Sequence, residues 1–193
     1  MSAPLTVLAI AGSLKRASVN RALVQAAREE APEGSEVVVW DGLGELPFYS
    51  EDSDGDASPA AVVELRRLIG EADALLISTP EYNSSIPGVL KNALDWASRP
   101  YGAATIVGKP VAVAGASPSS FGAAWAQAEV RKVLAASGAR VLEDGLSFAK
   151  AHERIGEDGR VRADDAVRVE LGALLARLAE LAVTPLDVET EAA

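Results

Sequence analysis

The chain contains no cysteine, which removes disulfides, thiol nucleophiles, iron–sulfur clusters and most zinc sites. It has one histidine, His152, so a histidine-rich metal centre is excluded as well. No apolar run approaches the roughly 18 residues a membrane helix needs. Positive charge is also scarce: 18 Lys and Arg stand against 28 Asp and Glu, a net charge of −10. That balance argues against nucleic-acid or anionic-membrane binding. The opening Met1-Ser2-Ala3-Pro4 carries no basic region, so no signal peptide is expected there. The lack of cysteine is compatible with a cytoplasmic address, which is the expectation.

What is present is an ordinary globular composition, 49% hydrophobic and 24% charged over 193 residues. It suits one domain with one core. The expected domain spans 1–183, with an acidic tail over 184–193. Apolar runs at Leu5–Ala11, Glu36–Trp40, Ala74–Thr79 and Pro110–Ala114, and within Arg140–Phe148, read as five strands. Most are apolar on both faces, as in a parallel sheet covered on both sides. Between them lie helical patterns. Asn20–Ala31 turns Ala22, Leu23 and Ala26 inward. A second helix, capped by Ser58 with Pro59 at its first position, carries a stripe of Val62, Val63, Leu65, Leu68 and Ile69. A third starts at Pro87, a fourth spans Ala123–Ser137, and a fifth places Val167, Leu171, Leu174, Leu175, Leu178 and Leu181 at helical spacing. Strand and helix alternate throughout, so the fold class is α/β with a parallel sheet wound on both faces.

Open α/β sheets place ligands in loops at the carboxyl ends of their strands. The first such loop, Gly12-Ser13-Leu14-Lys15-Arg16-Ala17-Ser18-Val19-Asn20-Arg21, lies at a helix amino terminus, where unpaired N–H groups and the helix dipole favour an anion. Gly12 lets the chain turn away from the strand. Ser13, Ser18 and Asn20 are neutral donors; Lys15 and Arg16 add positive charge. Serine and asparagine at a helix start also read as plain caps. The loop lacks both the G-x-G-x-x-G of dinucleotide folds and the G-x-x-x-x-G-K-[ST] of NTPases.

The second loop, Thr79-Pro80-Glu81-Tyr82-Asn83-Ser84-Ser85-Ile86-Pro87-Gly88, is stiffened by two prolines and leads into Val89-Leu90-Lys91-Asn92-Ala93-Leu94-Asp95-Trp96. Pro87 begins the helix and Gly88 permits close packing. Asp95 and Trp96 read either as a subunit contact or as a solvated charge and a core aromatic. The third loop runs Ala114-Gly115-Ala116-Ser117-Pro118-Ser119-Ser120-Phe121-Gly122-Ala123. His152 sits in a polar stretch without a G-x-S-x-G elbow, and reads as a surface residue rather than a hydrolase base.

The first two loops together resemble those of the NAD(P)H-dependent FMN reductase family of the flavodoxin-like superfamily. The first matches G-S-L-R-x-x-S-x-N, with Lys15 in the usual Arg position and Arg16 beside it; the second matches over eighteen residues. The third matches weakly, with Ser119-Ser120 and Gly122-Ala123 where paired glycines are common. The resemblance runs from Leu5 to Leu181. It implies a flavodoxin-like three-layer sandwich with a five-stranded parallel sheet in the order 2-1-3-4-5. It implies bound FMN, its phosphate held by Ser13, Lys15, Arg16, Ser18 and Asn20. Pro80, Glu81, Tyr82 and Asn83 would line the ring, with Ser84 and Ser85 near it and Ser117 as a further flavin contact. The implied activity is ping-pong reduction by NADPH or NADH of a small-molecule acceptor: a quinone, azo compound, flavin or metal oxyanion. A homodimer or homotetramer is implied as well. The cofactor carries such chemistry, so no side chain is assigned as acid, base or nucleophile. Two other readings stay open: a non-enzymatic flavin carrier or sensor, and an α/β fold that no longer binds flavin.

Overall fold

Alternation of apolar residues toward two opposite faces builds a sheet sandwiched between two helix layers. The structure is a computed structural model and describes residues 3–185. Its elements are β1 (Leu5–Ala11), α1 (Val19–Glu29), β2 (Ser35–Trp40), α2 (Ala60–Glu71), β3 (Ala74–Thr79), α3 (Gly88–Ala97), β4 (Pro110–Ala116), α4 (Ala124–Ala136), β5 (Arg140–Val141), β6 (Leu146–Phe148) and α5 (Val167–Val183). All strand pairs in the sheet are parallel, in the order β2-β1-β3-β4-β5, with β6 also paired to β4. The expected fifth strand is therefore two short ones. Both lie along β4, separated at Leu142–Gly145, so the sheet has six strands rather than five. Thr184 and Pro185 follow α5; the rest of the expected acidic tail, 186–193, lies outside the described residues.

Successive side chains of a strand point to opposite faces. Val7 and Ala9 of β1, Ala74 and Leu76 of β3, and Ala112 and Ala114 of β4 face α1 and α5. Leu8 and Ile10, Leu75 and Ile77, and Val111 and Val113 face α2, α3 and α4. The α1 side is lined mostly by alanine and lets its helices sit close. The other side is bulkier. All residues of β3 and β4 are buried, as expected for central parallel strands.

Several local expectations are corrected. Ser58 does not cap α2; its hydroxyl accepts from Arg66, and the cap position belongs to Pro59. Val63 leaves the α2 stripe and is 54% exposed. Gly88 is not a packing glycine, because a Cβ there would meet nothing within 4 Å. Gly12 is: its Cβ would lie 2.7 Å from Leu90 Cδ2, so a larger residue there would have to displace the Leu90 side chain of α3.

The polar segment from Asp41 to Ser58 folds as three short 3-10 turns against α2 and α3. Two buried side chains of α3 hold it. Asn92 Nδ2 and Trp96 Nε1 both donate to the Pro47 carbonyl at 2.9 Å, and Asn92 Oδ1 accepts from Tyr49 N at 2.8 Å. Trp96 is fully buried, with Tyr49 edge-on at 4.9 Å, so it is a core aromatic in the chain itself. Asp95 pairs with Lys91 one turn away. Replacing Trp96 with Ala is expected to cost about 3–5 kcal/mol of stability, by analogy with other buried aromatic truncations. Urea unfolding followed by circular dichroism measures it.

Candidate active site

The strand order reverses between β1 and β3, so the chain leaves these neighbours in opposite directions and opens a crevice at their carboxyl ends. The loops after β1, β3 and β4 make its walls. Lining it are Ser13, Lys15, Ala17, Ser18, Val19, Asn20, Pro80, Glu81, Tyr82, Ala116, Ser117, Pro118 and His152.

The floor is organised by Asn20, which is 1% exposed. Its Nδ2 donates to the Ala116 carbonyl at 2.9 Å. Its Oδ1 accepts from Ala116 N at 3.0 Å and from Ser78 Oγ at 2.8 Å. The side chain expected to be a phosphate donor is thus engaged in tying the start of α1 to the ends of β3 and β4. Ser18 is the cap of α1, its Oγ accepting from Asn20 N at 3.2 Å. Ser13 Oγ accepts from Lys15 N at 3.3 Å. Between them, the N–H groups of Arg16, Ala17, Ser18 and Val19 have no partner among the described residues. Consecutive free N–H groups entering a helix form an anion cradle. Neither Lys15 nor Arg16 forms an ion pair with a described residue. Lys15 lines the crevice; Arg16 lines a neighbouring cleft over α1 with Arg21, Glu29 and Arg160.

The second loop is a tight hairpin. Tyr82 and Ser85 exchange N–H···O bonds of 3.1 Å, and Asn83 and Ser84 between them are both left-handed, with φ of 52° and 60°. Two successive residues of positive φ are the mark of a type I′ turn. Pro80 is buried, whereas Asn83 and Ser84 sit on the exposed tip and do not line the crevice. The Glu81 carboxylate is turned away to α4: its Oε2 accepts from Trp125 N and Ala126 N.

The third loop is braced by serines. Ser117 Oγ accepts from Ser119 N at 3.1 Å, and Ser119 Oγ accepts from Phe121 N at 3.3 Å. Ser117 N donates to Phe148 O, while Ala151 N and Lys150 N donate to the carbonyls of Ser117 and Ser119. The segment 148–153 therefore lies along this loop and brings His152 to the crevice. The residue read as a surface histidine is exposed, but at the site's edge. Beneath it, Arg154 forms a bidentate pair with Asp165 and stacks its guanidinium 4.5 Å from the centre of Phe148. The hydrogen bond from Arg154 holds the Asp165 carboxyl below the usual carboxylate range. No cluster of three His, Cys, Asp or Glu able to hold a metal exists among the described residues, and no helix there is long and apolar enough to cross a membrane.

Sequence reasoning missed Ala17, Val19, Ala116, Pro118 and His152 as lining residues. The first four offer backbone rather than side-chain chemistry. His152 arrives through a contact between distant loops that no local pattern signals.

The chain is similar to proteins of known family. Residues 5–153 match the family described as NADPH-dependent FMN reductase. A 2-hydroxy-1,4-benzoquinone reductase of a Burkholderia species is 41% identical over 162 residues, covering 83% of this chain and 87% of that protein. An NAD(P)H-dependent FMN reductase of Pseudomonas aeruginosa is 47% identical over 134 residues, 69% of this chain and 71% of that one. Among solved structures, FerB, a flavoenzyme NAD(P)H:(acceptor) oxidoreductase of Paracoccus denitrificans, superposes with a TM-score of 0.81. It is 36% identical, and the match covers 92% of this chain and 96% of that one.

Replacing Asn20 with Ala would leave the Ala116 N–H and carbonyl and the Ser78 hydroxyl buried without partners. It is expected to cost about 3 kcal/mol. Chemical denaturation gives the value; a loss under about 0.5 kcal/mol would show that water replaces the amide there.

Proposed function

Since the chain belongs to the NADPH-dependent FMN reductase family and is thereby an FMN-dependent NAD(P)H oxidoreductase, we propose that it reduces quinones in a ping-pong cycle at this crevice. When bound, FMN supplies the two-electron chemistry, accepting a hydride from NAD(P)H and passing the electron pair to an acceptor. Everything else is the work of the chain: binding, orientation and electrostatics.

The observation that carries this reading is the run of free N–H groups from Arg16 to Val19, with Lys15 beside it. In a chain of net charge −10, a local cradle of this kind favours one specific anion over nonspecific anion binding. The phosphate of FMN is held by these N–H groups, by the Ser13 and Ser18 hydroxyls and by the Lys15 ammonium. Arg16, facing the neighbouring cleft, adds to the local potential rather than gripping the phosphate. Asn20 positions the cradle from beneath.

Pro80, the backbone of Glu81 and Tyr82 form the wall for the flat ring. The N–H group of Glu81, which lines the crevice and has no partner among the described residues, is a donor for its polar edge. Ser117 stands across the crevice. Tyr82, 55% exposed, leaves one side of the site open to flat molecules. Nicotinamide and acceptor share that side and therefore alternate. Quinones are the favoured acceptors because relatives 41–42% identical to the chain are named for quinone reduction. Azo compounds, free flavins and metal oxyanions are the wider range of the same reading. So are a homodimer or homotetramer and a cytoplasmic address.

The test is the visible spectrum of the purified protein with FMN. Bleaching by NADPH or NADH, and recovery on adding a quinone, is the expected cycle. Bound flavin that neither nucleotide bleaches would favour a carrier or sensor; no flavin binding would sink the reading. Lys15→Ala is expected to weaken FMN binding by about tenfold, the scale of one charge-assisted contact, and riboflavin binding hardly at all. Arg16→Ala should have the smaller effect. Fluorescence titration with the two flavins distinguishes these outcomes.

A further inference from the structure

The helix α4 begins without a cap of its own. Ala123, at the cap position, has a left-handed backbone (φ 62°) and no side-chain oxygen to offer. The first N–H groups of a helix have no partner within it, so they need an acceptor from elsewhere. That acceptor is Glu81 Oε2, 3.0 Å from Trp125 N and 3.1 Å from Ala126 N. It reaches across 44 residues of sequence from the loop after β3, and brings negative charge to the positive end of the helix.

Apart from the Thr79 hydroxyl at the end of β3, which donates to the adjacent Pro80 carbonyl at 2.7 Å, these are the only hydrogen bonds between residues 80–86 and another element among the described residues. The remaining bonds of the hairpin are internal: Tyr82 to Ser85 and back. The ends of the hairpin are fixed by the buried Pro80 and by Ile86 packed on the core, and the one side chain of the hairpin that hydrogen-bonds to another element is the Glu81 carboxylate. One turn into the same helix, Gln127 Nε2 donates to Gly122 O of the third loop and to Ser147 Oγ of β6, both at 2.9 Å. The first turn of α4 thus holds the second loop through Glu81 and the third through Gln127. It links the loops that carry two walls of the crevice, in addition to the Asn20 network beneath them.

We propose that Glu81 is a positioning residue for the flavin: by docking on α4 it holds the hairpin platform at the spacing from the third loop that the ring requires. The proposal rests on the reading that FMN binds in this crevice. Glu81 acts here through the helix rather than by touching the cofactor with its carboxylate. A cap that served the helix alone would sit at the cap position, where serine, threonine, aspartate or asparagine does the same work locally. Here the cap comes from the loop that needs placing.

The test compares E81Q, E81D and E81A by FMN titration, by the visible absorption of bound flavin, and by thermal unfolding of the protein without flavin. Glutamine keeps the reach and one acceptor oxygen; aspartate keeps the charge but withdraws it by one methylene. Position therefore predicts that E81Q binds FMN within a few-fold of wild type with the same resolved flavin band. E81D and E81A should bind about tenfold or more weakly, with a broadened band. If E81D retains affinity and E81Q loses it, the residue acts by charge and the proposal is wrong. If all three variants unfold at lower temperature yet bind FMN with unchanged affinity and spectrum, Glu81 is a helix cap and nothing more. Wild-type protein that fails to bind FMN would overturn the underlying reading itself, a result distinct from either of these.

Discussion

A single buried amide, that of Asn20, fixes the relation between the three strands that make the crevice. It stands at the start of α1, just past β1, and bonds to Ser78 of β3 and to both backbone groups of Ala116 on β4. A buried polar side chain is costly unless its partners are in place, so the network is satisfied in one arrangement and penalised in others. That arrangement leaves the N–H groups from Arg16 to Val19 turned outward and free. The anion cradle thus follows from the amide beneath it.

Packing supports the same geometry from both faces of the sheet. Alanines at positions 9, 74, 112 and 114 let α1 lie close over β1, β3 and β4, so the helix amino terminus reaches the strand ends. On the opposite face, Leu90 of α3 comes close enough to Gly12 that no other residue fits without displacement. The first loop is held from above and below, and its electrostatics are local. Net negative charge elsewhere does not cancel a cradle built from backbone dipoles and one unpaired lysine, because screening at physiological salt limits exposed charges to about 8 Å.

The third loop reaches a comparable rigidity by other means. In this loop, where Ser119-Ser120 and Gly122-Ala123 stand in place of paired glycines, Ser117 and Ser119 accept hydrogen bonds from the backbone ahead of them, and the segment 148–151 is bonded alongside. Left-handed backbone is concentrated at Gly122 and Ala123, just before α4. The strain of a non-glycine residue there persists because the surrounding contacts over-determine it. It also leaves α4 uncapped, and so open to Glu81.

Alternation and periodicity determined the α/β class, the order of the elements and the core positions of α5 from sequence alone, because burial on one face leaves a repeat that can be counted. The two loop motifs identified the family for a similar reason: glycine, serine and proline at those positions answer to backbone geometry within a few residues. Other features required the tertiary structure. The split of the last strand into Arg140–Val141 and Leu146–Phe148 depends on register with β4. The separation of Lys15 from Arg16, the engagement of Asn20 and Glu81 by distant backbone, and the arrival of His152 at the crevice depend on contacts between residues far apart in sequence. Residue type says what a side chain can bond to; only the packed chain decides which partner is near enough to take it.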